Sequence, residues 1–195
     1  MTVARTPVIL ASQSPRRIEL LKQLVADFRV IPSEVVEVFR ADLSPEENAV
    51  TLGREKADWV ARRHPGHCVI GADTVVVLDG EIIGKPTDTD DAHRILKRLS
   101  GREHQVITGV AVLHSKTASA AAVSRVRMKS LTREEITAYI NSGEPMDKAG
   151  AYAIQGKGAS LIAGYDGSYS NIVGLPVETL KDLLQRAGYS IEEAS

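Results

Sequence analysis

Cysteine is nearly missing from this chain, with Cys68 alone among 195 residues. One thiol excludes a disulfide framework and a cysteine metal site, and it suits a reducing compartment. Long apolar runs are missing too. Pro7–Ala11 gives way to polar Ser12-Gln13-Ser14, which is too short for a signal-peptide core, and no later stretch approaches a membrane span. The expectation is a cytoplasmic protein with no membrane partner. Nor is there an excess of one charge. Twenty-four Lys and Arg against 25 Asp and Glu leave a net charge of −1, which argues against a broad nucleic-acid surface. Familiar nucleotide and nucleophile motifs are absent as well. Gly150–Lys157 has the wrong spacing for a Walker A loop, and Gly158 stands where Ser or Thr is required. There is no GxGxxG after a strand and no GxSxG. The five histidines are scattered, and His64 and His67 flank Pro65-Gly66 without an acidic partner, as loop residues do. Thiol or histidine nucleophiles are therefore disfavoured.

What is present is an ordinary globular composition, 43% hydrophobic and 25% charged. The length allows one substantial core, as a single domain or two closely joined lobes. Val69–Pro86 reads as an apolar β-hairpin. Val75–Leu78 leads into Asp79-Gly80, the pair that a type I′ turn prefers, and Glu81-Ile82-Ile83 returns. Consecutive apolar residues suggest a strand covered on both faces. Asp73 lies within that run, where a carboxylate needs a metal, a cation or several donors to offset its desolvation. A two-residue turn returns Lys85 opposite Thr74, one place from Asp73. That pair reads either as a salt bridge at a strand end or as part of a site.

Upstream, Val8–Ala11 is a strand. Ser14 caps a helix with Pro15 at its first position and Ile18, Leu20, Leu21 and Leu24 inward. Arg16 and Arg17 occupy the first turn, where the helix dipole disfavours cations. They either point to solvent or meet an anion, with Ser12 in the preceding turn. Phe28–Pro32 reads as a short strand, and Ser33–Asp42, with Glu34 and Glu37, as a loop. Ser44-Pro45-Glu46-Glu47 is a capping box, opening a helix to about Arg63. Lys56 falls on its apolar face with Leu52 and Val60. It either snorkels or aims at a polyphosphate. Asp88–Ser100 is a helix ended by Gly101, His104–Leu113 a strand, and Ala120–Leu131 its antiparallel neighbour. Thr132-Arg133-Glu134-Glu135 caps a further helix to about Ser142. Asp147–Val177 reads as a Gly-rich set of hairpins, and a last helix runs from near Pro176 to Arg186. Carboxylates (Glu37, Asp73), lysines (Lys56, Lys85), paired arginines and small hydroxyls suit a hard divalent cation with phosphates. They point to phosphoanhydride chemistry.

Four segments, LASQSPRRIELL, GADTVVVLDGEIIGKP, GREHQVITGVAVL and DKAGAYAIQGKGASLIAGYDGSYSNIVGLPV, resemble in order the signature blocks of the Maf family of nucleotide pyrophosphatases. The resemblance implies one Maf-like domain over 1–195, an α/β fold of two lobes and a central cleft. A long twisted mixed sheet would be flanked by helices, as in inosine triphosphate pyrophosphatases. It implies hydrolysis of a nucleoside triphosphate between the α and β phosphates with Mg²⁺ or Mn²⁺, in house-cleaning of nucleotide pools, by a homodimer. Asp73 matches the proposed general base, and Asp73 and Glu37 match metal-binding positions. Arg16 and Arg17 match the phosphate-contacting pair, and Ser12, Lys56 and Lys85 match other functional positions. DKAGAYAIQG resembles the branch acting on dTTP and UTP, with Arg16, Thr74 and Gln155 at its specificity positions. Gln155 offers a donor and an acceptor, which suits the O4 and N3–H edge of uracil or thymine. The 7-methyl-GTP branch carries a glutamate there, and modified pyrimidine triphosphates fit the dTTP/UTP branch as well. A nucleotide-binding regulator of septum formation is the competing class. Metal-dependent turnover separates it from an enzyme.

Overall fold

The computed structural model describes residues 6–191. Met1–Arg5, part of the stretch read above for a leader, lies outside them. In chain order the elements are β1 (Val8–Leu10), α1 (Pro15–Leu21), β2 (Arg29–Val30), α2 (Pro45–Ala61), β3 (Cys68–Leu78) and β4 (Glu81–Ile83). There follow α3 (Thr89–Leu99), β5 (Glu103–Leu113), β6 (Thr117–Met128), α4 (Arg133–Ile140), β7 (Ile162–Asp166), α5 (Tyr169–Val173) and α6 (Val177–Arg186). The strands make a mixed sheet in the order β2-β1-β3-β5-β6-β7, with β4 on β3. The class is α/β, a mixed sheet flanked by helices.

The chain divides into two compact units. Among the described residues, one comprises 6–73, 108–122 and 174–191, the other Thr74–Ile107 and Val123–Val173. In the first unit β1 is parallel to both β2 and β3, with Ile9 opposite Val69 and Leu10 opposite Ile70. Ile9, Ala11, Ala57, Val60 and Val69 form a core cluster there. α2 is bound to the strands at backbone distance. A Cβ at Gly71 would lie 2.2 Å from the Gly53 carbonyl oxygen, and one at Gly109 would lie 2.2 Å from the backbone of Ala49 and Val50. Only glycine permits that approach.

In the second unit β3 turns through Asp79 and Gly80, both with positive φ (54° and 81°), the type I′ geometry expected of that pair. The ladder pairs Leu78 with Glu81 and Val76 with Ile83. α3 is capped by Asp88 and buries Ala92, Ile95, Leu96 and Leu99. Each large side chain of that stripe contributes about 1.5–3 kcal/mol of burial. α4 is closed by the expected Thr132–Glu135 capping box.

Three expectations are corrected. α1 ends at Leu21, because Gln23 and Leu24 donate to the carbonyls three residues back and the tightened turn sends Val25 inward instead. β6 starts at Thr117 and stops at Met128, since the N–H groups of Lys129 and Leu131 go to Leu161 and to the Ser100 hydroxyl. Residues 147–177 are not hairpins. They form 3₁₀ turns over Glu144–Asp147, Ala149–Ala151 and Gly156–Leu161, then β7 and α5. Left-handed φ at Gly150, Ala151 and Gly156 curls the backbone where a strand would need extension.

Candidate active site

β3 is buried at every position except Thr74, which is half-buried. Its neighbour Asp73 is 5% exposed, so the carboxylate needs a partner. Lys56 supplies it. From the buried face of α2 its Nζ donates to Asp73 Oδ1 at 2.6 Å and to Glu37 Oε1 at 2.7 Å. The Lys56 side chain is 10% exposed, so the ammonium does not snorkel but ties two carboxylates together inside the unit. The close contact of α2 at Gly71 and Gly53 is what lets a lysine reach the strand directly. The hairpin ladder runs to Val76–Ile83, in the register that sets Lys85 opposite Thr74, and Lys85 follows β4 as an exposed residue.

Arg17 belongs to the same unit. Its Nε donates to the Gly174 carbonyl at 2.8 Å and its Nη1 to Ser12 Oγ at 3.3 Å. Burial lowers the pKa of the guanidinium, with the field of Arg16 acting the same way, while Asp73 and Glu37 raise it. Ser12 Oγ also accepts from Ser14 N, and Ser14 Oγ from Arg17 N, so the turn before α1 is locked onto the arginine. Arg16 is half-buried beside it. Ser12 and Arg17 are thus one hydrogen-bonded pair, Glu37, Lys56 and Asp73 are another group, and Arg17 feels the charges of Asp73 and Glu37. Their formal charges cancel, two cations against two carboxylates.

Among the described residues no set of three or more His, Cys, Asp or Glu gathers as a metal site. Glu37 and Asp73, joined through Lys56, are two oxygen ligands of the kind a hard cation takes, with the remaining ligands to come from elsewhere. In the second unit Gln155 is exposed and extended (φ −99°, ψ 169°) at the start of the Gly156–Leu161 turn. Gly84, next to Lys85, accepts at its carbonyl from Gly150 N at 3.0 Å, tying the segment of Lys85 to the turn upstream of Gln155.

Residues 7–187 match the family model described as "Maf-like protein". The chain belongs to the Maf family. It is 50% identical over 188 residues to the dTTP/UTP pyrophosphatase of Dictyoglomus thermophilum, covering 94% of this chain and 97% of that one. It is 49% identical to the dTTP/UTP pyrophosphatase of Myxococcus xanthus, covering 96% of each. Among solved structures, a dITP/XTP pyrophosphatase from Mycobacterium abscessus matches with a TM-score of 0.45 and 14% identity, over 94% of this chain and 95% of that one.

The Maf chain also uses residues that the sequence reading passed over. Asn48, 2% exposed, accepts from Arg40 N at 2.7 Å and donates to the carbonyls of Arg40, Leu43 and Ser44. It fixes the end of the loop that carries Glu37. The signal was available, since Asn48, Leu52 and Lys56 lie on one i, i+4 row of α2 and a polar residue on a buried row must find partners. Glu144 and Tyr139, which bind the segment around Gln155, gave no such signal, because their partners are backbone groups of a turn without periodicity.

Proposed function

We propose that this Maf protein hydrolyses dTTP and UTP, and modified pyrimidine triphosphates of the same edge chemistry, at the α–β phosphoanhydride. Water adds across that bond to give nucleoside monophosphate and pyrophosphate, which removes unwanted nucleotides from the pool. The observation that carries the reading is the Asp73–Lys56–Glu37 group, with the Arg17–Ser12 pair in the same unit, in a chain about half identical to dTTP/UTP pyrophosphatases.

Asp73 accepts the proton of the attacking water, a task that suits a desolvated carboxylate held in one orientation. Arg16, Arg17 and the Ser12 hydroxyl bind phosphate oxygens, and Lys56 and Lys85 offset charge on the departing pyrophosphate. Asp73 and Glu37 would hold a divalent cation, Mg²⁺ or Mn²⁺, whose chemistry is to neutralise phosphate charge. Gln155 and Thr74 meet the base. On the family resemblance we also assign a cytoplasmic homodimer, which sedimentation of the purified chain tests.

The test is a panel of dTTP, UTP, CTP, GTP and 7-methyl-GTP with and without Mg²⁺ or Mn²⁺, with pyrophosphate and orthophosphate assayed separately. Metal-dependent pyrophosphate from dTTP and UTP is expected. Orthophosphate would contradict the bond assigned, and pyrophosphate from 7-methyl-GTP alone would contradict the base assigned. Tight metal-free binding without product would replace the enzyme by a regulator.

A further inference from the structure

The segment around Gln155 is held from both sides by two side chains that no part of the proposed reaction uses. Glu144 follows α4, and its carboxylate accepts from three donors. These are Gly158 N at 3.0 Å, Lys157 N at 3.1 Å and the Tyr139 hydroxyl at 3.0 Å. The same Tyr139 oxygen accepts from Ala153 N at 3.3 Å. Tyr139 is 5% exposed in the core of the second unit, so the pair is anchored to packed structure. Ala153 lies two residues before Gln155, and Lys157 lies two residues after it. Gly156 has φ 64°, and a Cβ there would come within 2.8 Å of Glu144 Oε2, so the backbone is drawn tightly over the carboxylate.

Burial raises the Glu144 pKa, but the two backbone N–H groups, the Tyr139 hydroxyl and Lys148 together bring it below the ordinary glutamate value. The group is therefore ionised at neutral pH, and charge-assisted acceptance from N–H groups is the stronger kind of hydrogen bond. Gln155 itself is exposed. A long side chain on an exposed turn selects little unless its backbone is fixed, because each hydrogen bond to a ligand must offset the entropy of ordering it.

We infer that Glu144 and Tyr139 form a positioning pair that fixes residues 153–158, and so give Gln155 its power to discriminate pyrimidines from other bases. This rests on the assignment of Gln155 to base recognition in the proposed function. Neither residue is among those assigned to the phosphates.

The test uses the full chain and steady-state kinetics with UTP, dTTP, CTP and GTP. Glu144→Gln keeps the shape but sets an amide N–H₂ where one backbone N–H now donates. It is expected to lower kcat/KM for UTP about tenfold, mainly through KM, and to narrow the preference for UTP over GTP. Tyr139→Phe removes one hydroxyl and is expected to act in the same direction more weakly, so the idea is still tested if Glu144→Gln fails to fold. A merely structural role would add to the effect of any other change. A positioning role would not, so Glu144→Gln is expected to cost little selectivity once Gln155→Ala is already present. Amide exchange at Lys157 and Gly158 should quicken in Glu144→Gln.

If folded Glu144→Gln and Tyr139→Phe keep the wild-type base preference, or if their losses add fully to that of Gln155→Ala, the inference falls alone. A wild-type protein that releases no pyrophosphate from UTP would remove the reading beneath it and the inference with it.

Discussion

Around Lys56 in the first unit the acting side chains hold one another, with Asp73 and Lys56 both under a tenth exposed. Around Gln155 in the second unit the reading side chain is exposed, and only its backbone is held, by Glu144 and Tyr139. The two regions show two ways to prepare a group for a ligand. A buried charge is oriented by its counter-charge, at a desolvation cost that rises steeply if either partner goes. An exposed amide keeps its freedom to exchange water for a base, and its precision comes from the chain beneath it. Damage in the first unit should therefore appear as lost rate and lost stability together. Damage in the second should appear as lost selectivity.

The largest expected effect is on rate. Asp73→Asn keeps the size of the side chain but removes a base and one charge. Turnover is expected to fall about 10²–10⁴-fold, while the far-UV spectrum stays close to wild type and the thermal transition moves down, because the buried Lys56 ammonium keeps only Glu37 as its counter-charge. Retention of most of the rate would take Asp73 out of the proton step. Lys56→Met is the stability counterpart. It leaves the Asp73 carboxylate buried without its cation, and the expected loss is about 3–5 kcal/mol in urea unfolding. Glu37 is 38% exposed at its side chain and can turn to water, so adding Asp73→Asn should recover much of that loss and adding Glu37→Gln little. Equal recovery by both would mean that the two carboxylates share the burden.

A smaller effect separates geometry from charge. Gly109→Ala would drive a methyl against the backbone of Ala49 and Val50, so α2 must shift from the strands. About 1–3 kcal/mol of stability should be lost, and turnover should drop with no charged residue altered, since Lys56 rides on α2. Unchanged kinetics in a destabilised Gly109→Ala protein would show that the Lys56–Asp73 contact tolerates movement of the helix.

Much of this contrast could be read from local chemistry. The Asp79-Gly80 turn, the Ser44 and Thr132 capping boxes and the inward stripe of α3 each follow from residues within a few positions, and each is found where the pattern sets it. The burial of Asp73 followed from the unbroken apolar run around it. Its partner did not. Lys56 was legible as a residue on the apolar face of α2, but contact with β3 depends on glycines at 53 and 71, whose role is visible only when the two backbones meet. The pairing of Glu37 with Lys56 spans 19 residues from an aperiodic loop, so nothing local announces it. The 147–177 stretch was misread because glycine marks both hairpin turns and left-handed 3₁₀ turns, and the choice between them is made by packing. Gly150 sits against the Val76 side chain, which excludes any Cβ there.

The second unit treats a buried titratable group in the opposite way from the first, and pH exposes the difference. His104 is 3% exposed, with Nε2 2.6 Å from the Tyr152 hydroxyl, the rings meeting edge to face, and Nδ1 without a hydrogen-bond partner among the described residues. No counter-charge is built for it, so burial pushes its pKa down to about 4 and the imidazole stays neutral. The unfolded chain would titrate near the ordinary 6.5. Between those two values the unfolded state binds the extra proton, so stability is whole above about pH 6.5 and is lost as the pH falls toward 4. The slope contributed by this one group approaches about 1.4 kcal/mol per pH unit. Urea unfolding of wild type and His104→Phe between pH 7 and pH 4.5 should diverge in slope. The phenylalanine variant starts lower, having left the Tyr152 hydroxyl unpaired, but falls less steeply. Parallel curves would mean that His104 is protonated in the folded protein, and that the second unit, like the first, accommodates a buried charge.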